Sequence, residues 1–381
     1  MLSTTCVSVN RKPPSPAPVV AAVPNTTPFV APEVLGRRYG HAEMLRLGAN
    51  ESAFGPSPRA IAAMREQAPH NSWYGDPESY ELRVALATRL GCTPEHITIG
   101  SGIDDLHSLI VRTFCAPGSV ALETEGTYAT FAYHVAANGV RLRTVPYRPD
   151  GSIDIEQLID VARRERPKMI YVANPDNPSG TFIEPEGIAA LRDALLPDQV
   201  LALDEAYADF VPADRLMVPL VDPQVVRMRT FSKAYGLAGA RVGYAICDPS
   251  IGQIFQNIRQ HFGVNRNGQI AALASLDDDE FIRSVVAEVE RGREEYYALA
   301  ARHGLRSVRS LTNFVCIEIG SKAEAGAFLE ELLRRGVFLR KPSAPPLDGY
   351  VRVTVGTAEE RRRFAEIFGE ALASMPSAAR V

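Results

Sequence analysis

Short apolar runs recur along the middle of the chain, separated by polar, turn-forming stretches. His96–Gly100, Ser119–Leu122, Arg141–Val145, Met169–Ala173, Val200–Leu203, Val225–Thr230 and Gly243–Cys247 each read as a strand. Runs this short, with helical segments between most of them, predict a mostly parallel sheet covered on both faces. Residues 57–67 and 77–90 read as helices, the second opened by Asp76-Pro77, and Asp104–Cys115 as a helix stopped by Pro117-Gly118. After Asp279 the texture changes. From Glu280 to about Arg302, Phe281, Val285, Val289 and Tyr296 fall near helical spacing and predict one long amphipathic helix. A second α+β unit follows, with strand Asn313–Ile319, helix Lys322–Arg335, strands Val337–Arg340 and Tyr350–Val355, and helix Ala358–Ser374.

A chain of 381 residues exceeds one small core, so two domains are expected. Residues 1–45 begin with a proline-rich stretch, seven prolines within the first 35 positions, and read as an extended arm, laid over a neighbour or mobile. Residues 46–279 form the larger expected domain and 280–381 the smaller, which also draws on the N-terminal stretch. A net charge of −4 and a pI near 6.0 argue against a nucleic-acid stripe or a polybasic membrane surface. The five cysteines lie far apart with no C-x-x-C pair, which suits reduced thiols in a cytoplasmic protein better than disulfides or zinc. No apolar run approaches the roughly eighteen residues that span a bilayer, and no signal-peptide core follows the first basic residues. The seven histidines show no metal spacing and read as structural or exposed.

The strongest local signal is Thr230-Phe231-Ser232-Lys233-Ala234-Tyr235-Gly236-Leu237-Ala238-Gly239-Ala240-Arg241. It follows a strand, so Lys233 falls on a turn at a sheet end, where α/β folds place ligands. An amine that bonds a carbonyl carbon must be partly neutral, which calls for a desolvated or cationic setting. The hydroxyls of Thr230 and Ser232, with Arg241 eight residues after Lys233, suit a phosphate dianion; a surface lysine in a glycine-rich loop is the competing reading. In Leu201-Ala202-Leu203-Asp204-Glu205-Ala206-Tyr207, an acid ends an apolar strand and needs a partner. A protonated ring nitrogen is one such partner; a helix cap and a metal ligand are the alternatives. Asn174-Pro175-Asp176-Asn177-Pro178-Ser179-Gly180 is composed as a turn, and Asn177 could also donate its amide to a phenolic oxygen. Gly100-Ser101-Gly102-Ile103-Asp104 turns a strand into a helix whose first amides make an anion site.

Taken together and in this order, these motifs resemble the fold-type I aminotransferases, and within them the histidinol-phosphate aminotransferase group. The resemblance runs from about Leu45 to Phe368. It includes the stretch from Leu47 to Gly55-Pro56-Ser57-Pro58, Trp73-Tyr74-Gly75-Asp76-Pro77, the Asn174, Asp204 and Ser232 motifs, and Arg352-Val353-Thr354-Val355-Gly356-Thr357. It departs at Ser52 and Ala53, at Gly75 and at Gly126, where the family usually has other residues. What the resemblance implies is a large domain with a mainly parallel seven-stranded sheet that binds pyridoxal 5'-phosphate, plus a smaller α+β domain. Lys233 would hold the cofactor covalently and shuttle a proton. Asp204 would pair with its ring nitrogen, Asn177 and Tyr207 with its phenolic oxygen, and Tyr128 would stack on the ring. Gly102, Ile103, Asp104, Thr230, Ser232 and Arg241 would surround its phosphate. Tyr74 would reach the phosphate of a second subunit, making a homodimer with shared sites. Arg352 and Arg340 would grip the anionic tail of the substrate, and no metal is implied. The expected reaction moves an amino group from an amine donor to a 2-oxo acid, histidinol phosphate and 2-oxoglutarate first. An aromatic or other amino acid donor is the alternative, and a decarboxylase of a phosphorylated amino acid a further one.

Overall fold

The computed structural model describes residues 12–21, 23, 30–216 and 221–375. The strands are β1 (Leu45–Arg46), β2 (Ile97–Gly100), β3 (Val120–Thr124), β4 (Arg141–Val145), β5 (Met169–Ala173), β6 (Val200–Asp204), β7 (Val225–Thr230), β8 (Gly243–Ile246), β9 (Phe314–Glu318), β10 (Val337–Phe338) and β11 (Tyr350–Thr354). Seven of them form one sheet in the order β2-β8-β7-β6-β5-β3-β4. The strands from β3 to β7 run parallel, and β8 is antiparallel to both its neighbours. Every residue of β5 and β6 is buried, as the apolar runs Met169–Ala173 and Val200–Leu203 require of strands covered on both faces, and Asp204 is buried with them.

Alternation along β5 divides the core. Met169, Tyr171 and Ala173 pack with Leu106, Ile110, Phe131 and Val135 from helices Ile103–Phe114 and Ala129–Ala137. Ile170 and Val172 pack on the opposite face with Leu158, Val161, Ile188 and Leu191 from helices Ile155–Glu165 and Pro185–Asp193. A third cluster joins Leu45 and Leu47 to Phe314, Val351, Phe328 and Phe364. There β9 pairs antiparallel with β11, and β1 pairs parallel with β10. The chain just before the large sheet is therefore stitched to strands near residues 338 and 354, through Leu47 N to Phe338 O and Thr354 N to Leu47 O.

Three local expectations change. The helix predicted from residue 77 begins at Tyr80, because the Asp76 carboxylate accepts from the amides of Glu78 (3.0 Å) and Tyr80 (2.7 Å) and holds the intervening residues in a turn. The strand predicted over Val337–Arg340 has only two residues, although Arg340 still bridges to Arg352. Within the arm, Pro18–Ala21 and Pro32–Tyr39 are helical. Pro32 at the first turn and Gly40 at φ 77° after the last give the second of these ordinary start and stop signals. Arm residues 1–11, 22 and 24–29 lie outside the described residues, as do 217–220 and 376–381.

Candidate active site

The parallel strands β5, β6 and β7 end side by side, with Ala173 opposite Asp204 and Asp204 opposite Met228. Beyond these ends lies a cleft with about 240 Å³ of free volume. Ile103, Asp104, Tyr128, Asn177, Asp204, Tyr207, Thr230, Ser232, Lys233 and Arg241 all line it, although they span 139 positions of sequence. Crevices at the carboxyl ends of parallel strands are where open α/β sheets bind ligands.

Lys233 lies three residues past the end of β7, and its Nζ donates to Asn50 O at 3.1 Å. The same nitrogen stands 5.6 Å from the centre of the Tyr207 ring. Burial and the nearby Arg352 guanidinium push its pKa down to about 8, against the opposing pull of Asp204 and Glu51. A lysine in this setting is a usable base and nucleophile near neutral pH. Asp204 closes β6 and is buried; its Oδ1 accepts from Ala206 N and its Oδ2 from the Tyr171 hydroxyl, both at 2.9 Å. Next to it, Glu205 is buried between Arg227 and Arg229. Burial would raise its pKa, but Arg229 and Arg227 prevail and hold it below the usual carboxylate range.

Tyr207 Oη accepts from Asn50 Nδ2 at 2.8 Å, and its ring meets Phe314 edge to face. Burial pushes its pKa up to about 12, so the phenol keeps its proton. Tyr128 covers one side of the cleft and donates to Asp104 Oδ1 at 3.1 Å. Gly102 starts helix Ile103–Phe114 at φ 85°, and a Cβ there would lie 2.4 Å from Arg241 Nη2. Only glycine admits that guanidinium, whose Nη2 donates to Ser101 O at 3.3 Å. Thr230 Oγ1 and Ser232 Oγ, on residues that also line the cleft, lie 2.9 Å apart. Helix amides, two hydroxyls and a guanidinium thus line one cleft, a set suited to a phosphate dianion.

Arg352 reaches the site indirectly. Its Nη1 donates to Asn177 Oδ1, its Nη2 to Gly48 O at 3.0 Å, and its Nε is buried without a partner. Arg340 sits beside Arg352 in backbone register, but its guanidinium donates to Val30 O at 3.0 Å and does not line the cleft. Tyr74 is also off the cleft; it is 78% exposed and packs against the exposed Phe262. Sequence reasoning missed Asn50, whose carbonyl and amide contact both Lys233 and Tyr207, and Glu51, which lines the cleft. It also set aside His107, which is fully buried with Nε2 3.3 Å from Asp204 Oδ2. The described residues contain no cluster of three or more metal-ligating side chains.

A buried, electrophile-seeking lysine facing a buried aspartate, beside an anion cradle at the end of a parallel sheet, defines a cofactor-dependent α/β enzyme. The chain belongs to the class I and II aminotransferases, whose family model matches residues 42–368. Among its relatives, the histidinol-phosphate aminotransferase of Roseiflexus castenholzii is 35% identical over 93% of this chain and 97% of its own. That of Bacillus subtilis strain 168 is 32% identical over 89% and 95%. The crystal structure of histidinol-phosphate aminotransferase from Sinorhizobium meliloti, in complex with pyridoxal-5'-phosphate, superposes with a TM-score of 0.91 at 39% identity, covering 97% of this chain and 99% of that one.

Proposed function

We propose that this aminotransferase uses pyridoxal 5'-phosphate to move the amino group of histidinol phosphate to 2-oxoglutarate. The observation that carries the reading is Lys233, whose depressed pKa places a partly neutral amine in the same cleft as Asp204. The names of the relatives at 32–35% identity support the substrate. Pyridoxal phosphate, when bound, supplies an aldehyde for the lysine and a ring that accepts electrons from the substrate's Cα. The residues present fit it. Gly102, the amides of Ile103 and Asp104, Thr230, Ser232 and Arg241 would hold the phosphate, and Tyr128 the ring face. Asp204 would hold a proton at the ring nitrogen, while Asn177 and Tyr207 donate to the phenolic oxygen. Lys233 Nζ would move the proton at the substrate's Cα, taking it and returning it.

Arg352 offers a fixed cation for the anionic group of either substrate. Arg340 would join it for a phosphorylated donor by giving up its contact with Val30 O. The division into an arm to residue 45, a large domain over 46–279 and a small domain from 280 belongs to this reading. So does a homodimer: Trp73, Tyr74, Tyr80 and Phe262 are exposed, and Tyr74 would serve a second subunit's phosphate site. Free thiols at Cys92, Cys115, Cys247 and Cys316 suit a cytoplasmic enzyme. Among the described residues no helix is long and apolar enough to cross a membrane. The test is glutamate release from 2-oxoglutarate with histidinol phosphate or phenylalanine as donor, together with borohydride fixation of the cofactor. Preference for histidinol phosphate, with the label on the Lys233 peptide, is expected. Preference for phenylalanine refutes the substrate, and a label elsewhere refutes the lysine.

A further inference from the structure

We propose that His107 is a positioning residue that acts through Asp204, fixing which carboxylate oxygen faces the cleft. The inference rests on the reading above, in which Asp204 meets the cofactor's ring nitrogen. His107 lies one turn into helix Ile103–Phe114, the helix whose first turn borders the cleft. Its ring is fully buried, packed against Tyr171, Phe131 and Tyr128 at centroid distances of 5.3, 5.7 and 5.8 Å. Among the described residues neither ring nitrogen has a hydrogen-bond partner. Asp204 Oδ2 lies 3.3 Å from Nε2.

An ionised carboxylate only accepts, so the proton of this contact belongs to Nε2. The contact is long for an N–H···O bond, and hydrogen bonds at reacting groups often tighten only when the ligand is in place. Each carboxylate oxygen offers about two acceptor sites. One of Oδ2 is taken by the Tyr171 hydroxyl and His107 Nε2 faces the other at 3.3 Å, while one of Oδ1 is taken by Ala206 N. What remains is a single Oδ1 site on a carboxylate that lines the cleft. An imidazole in this pocket leaves polar atoms without partners unless it serves Asp204; a phenylalanine would fill the same aromatic surroundings without that cost. The titratable groups that face it are Asp204 at the end of β6, His134 and Tyr128 from the helix packed on its own, and Tyr171 on β5.

The experiment compares His107→Phe, which removes the donor, with His107→Gln, which keeps an N–H. Each holoenzyme is loaded with pyridoxal phosphate carrying ¹⁵N at its ring nitrogen. In the wild type that nitrogen should resonate as protonated. His107→Phe should move it toward the unprotonated position and lower kcat about tenfold, with KM for the donor unchanged; His107→Gln should restore much of both. In the apoenzyme, Asp204→Asn should shift the ¹⁵Nε2 resonance of His107, a readout that needs no cofactor and no substituted histidine. If Asp204→Asn moves the cofactor nitrogen but His107→Phe does not, His107 is only core and the proposal falls. If neither substitution moves it, the assignment of Asp204 to the ring nitrogen fails and takes the proposal with it. An unchanged His107 resonance in apo Asp204→Asn overturns the contact itself, including where His107→Phe does not fold.

Discussion

Replacing Arg352 by methionine should raise the pKa of Lys233, and replacing Asp204 by asparagine should lower it. Burial is the main cause of the fall from 10.5 to about 8, and Arg352 is next, while Asp204 opposes both. An amine titrating at about 8 is roughly one-tenth neutral at pH 7, whereas one at 10.5 is about one part in three thousand neutral, so the site gains roughly 300-fold in reactive amine. Removing the guanidinium should return roughly one pH unit of that, since a like charge nearby disfavours the ammonium. Labelling of Lys233 in the apoenzyme by a limiting acylating reagent, read by mass spectrometry across pH, measures the neutral fraction directly. The same pKa sets a sign for stability. Between about 8 and 10.5 the unfolded lysine still holds its proton and the folded one has released it, so the apoenzyme should gain stability as pH rises through that window. Labelling that titrates near 10.5 in the wild type, or shifts the same way in both variants, would refute the electrostatic account.

The remaining predictions address the cradle, the support beneath it and the assembly. Gly102→Ala places a Cβ 2.4 Å from Arg241 Nη2 at a φ of 85°, so affinity for pyridoxal phosphate should fall at least tenfold in a cofactor titration; unchanged affinity would remove Arg241 from the cradle. Glu205→Gln leaves Arg227 and Arg229 without their shared carboxylate, and urea denaturation should show a loss of about 3 kcal/mol or more. A loss under about 1 kcal/mol would mean that the arginines find other acceptors. Mixing inactive Tyr74→Phe and Lys233→Ala proteins should recover activity through hybrid dimers, and a fully active monomer at low concentration would contradict shared sites. Arg352→Ala should raise KM for both donor and 2-oxoglutarate, whereas Arg340→Ala should raise it for a phosphorylated donor alone; equal effects on phenylalanine would exclude Arg340 from phosphate recognition.

How much of this was legible in the sequence follows from which contacts are local. Asp204 and Lys233 each sit where an apolar strand gives way to a turn, so strand period and turn chemistry alone bring both to one sheet edge. The direction of β8 was also within reach. Residues 231–242 between β7 and β8 hold turns and one short 3-10 segment, Ala238–Ala240, too little to carry a helical crossover, so the strand must return antiparallel. Asn50 was not legible, because its role depends on a carbonyl meeting a lysine 183 positions away, with left-handed backbone at φ 54° that no local pattern announces. Arg340 bridges to Arg352 through the backbone, yet its guanidinium donates to Val30 O, 310 positions earlier, a contact no local pattern announces. His107 is the instructive case. On a strongly amphipathic helix it occupies the buried face with Leu106, Leu109 and Ile110, and a core histidine is what that pattern ordinarily means. The pattern cannot report that the face lies over the end of β6, where Asp204 Oδ2 stands 3.3 Å from its Nε2. Periodicity tells which side of a helix is buried; only the packed sheet decides which charge that side meets.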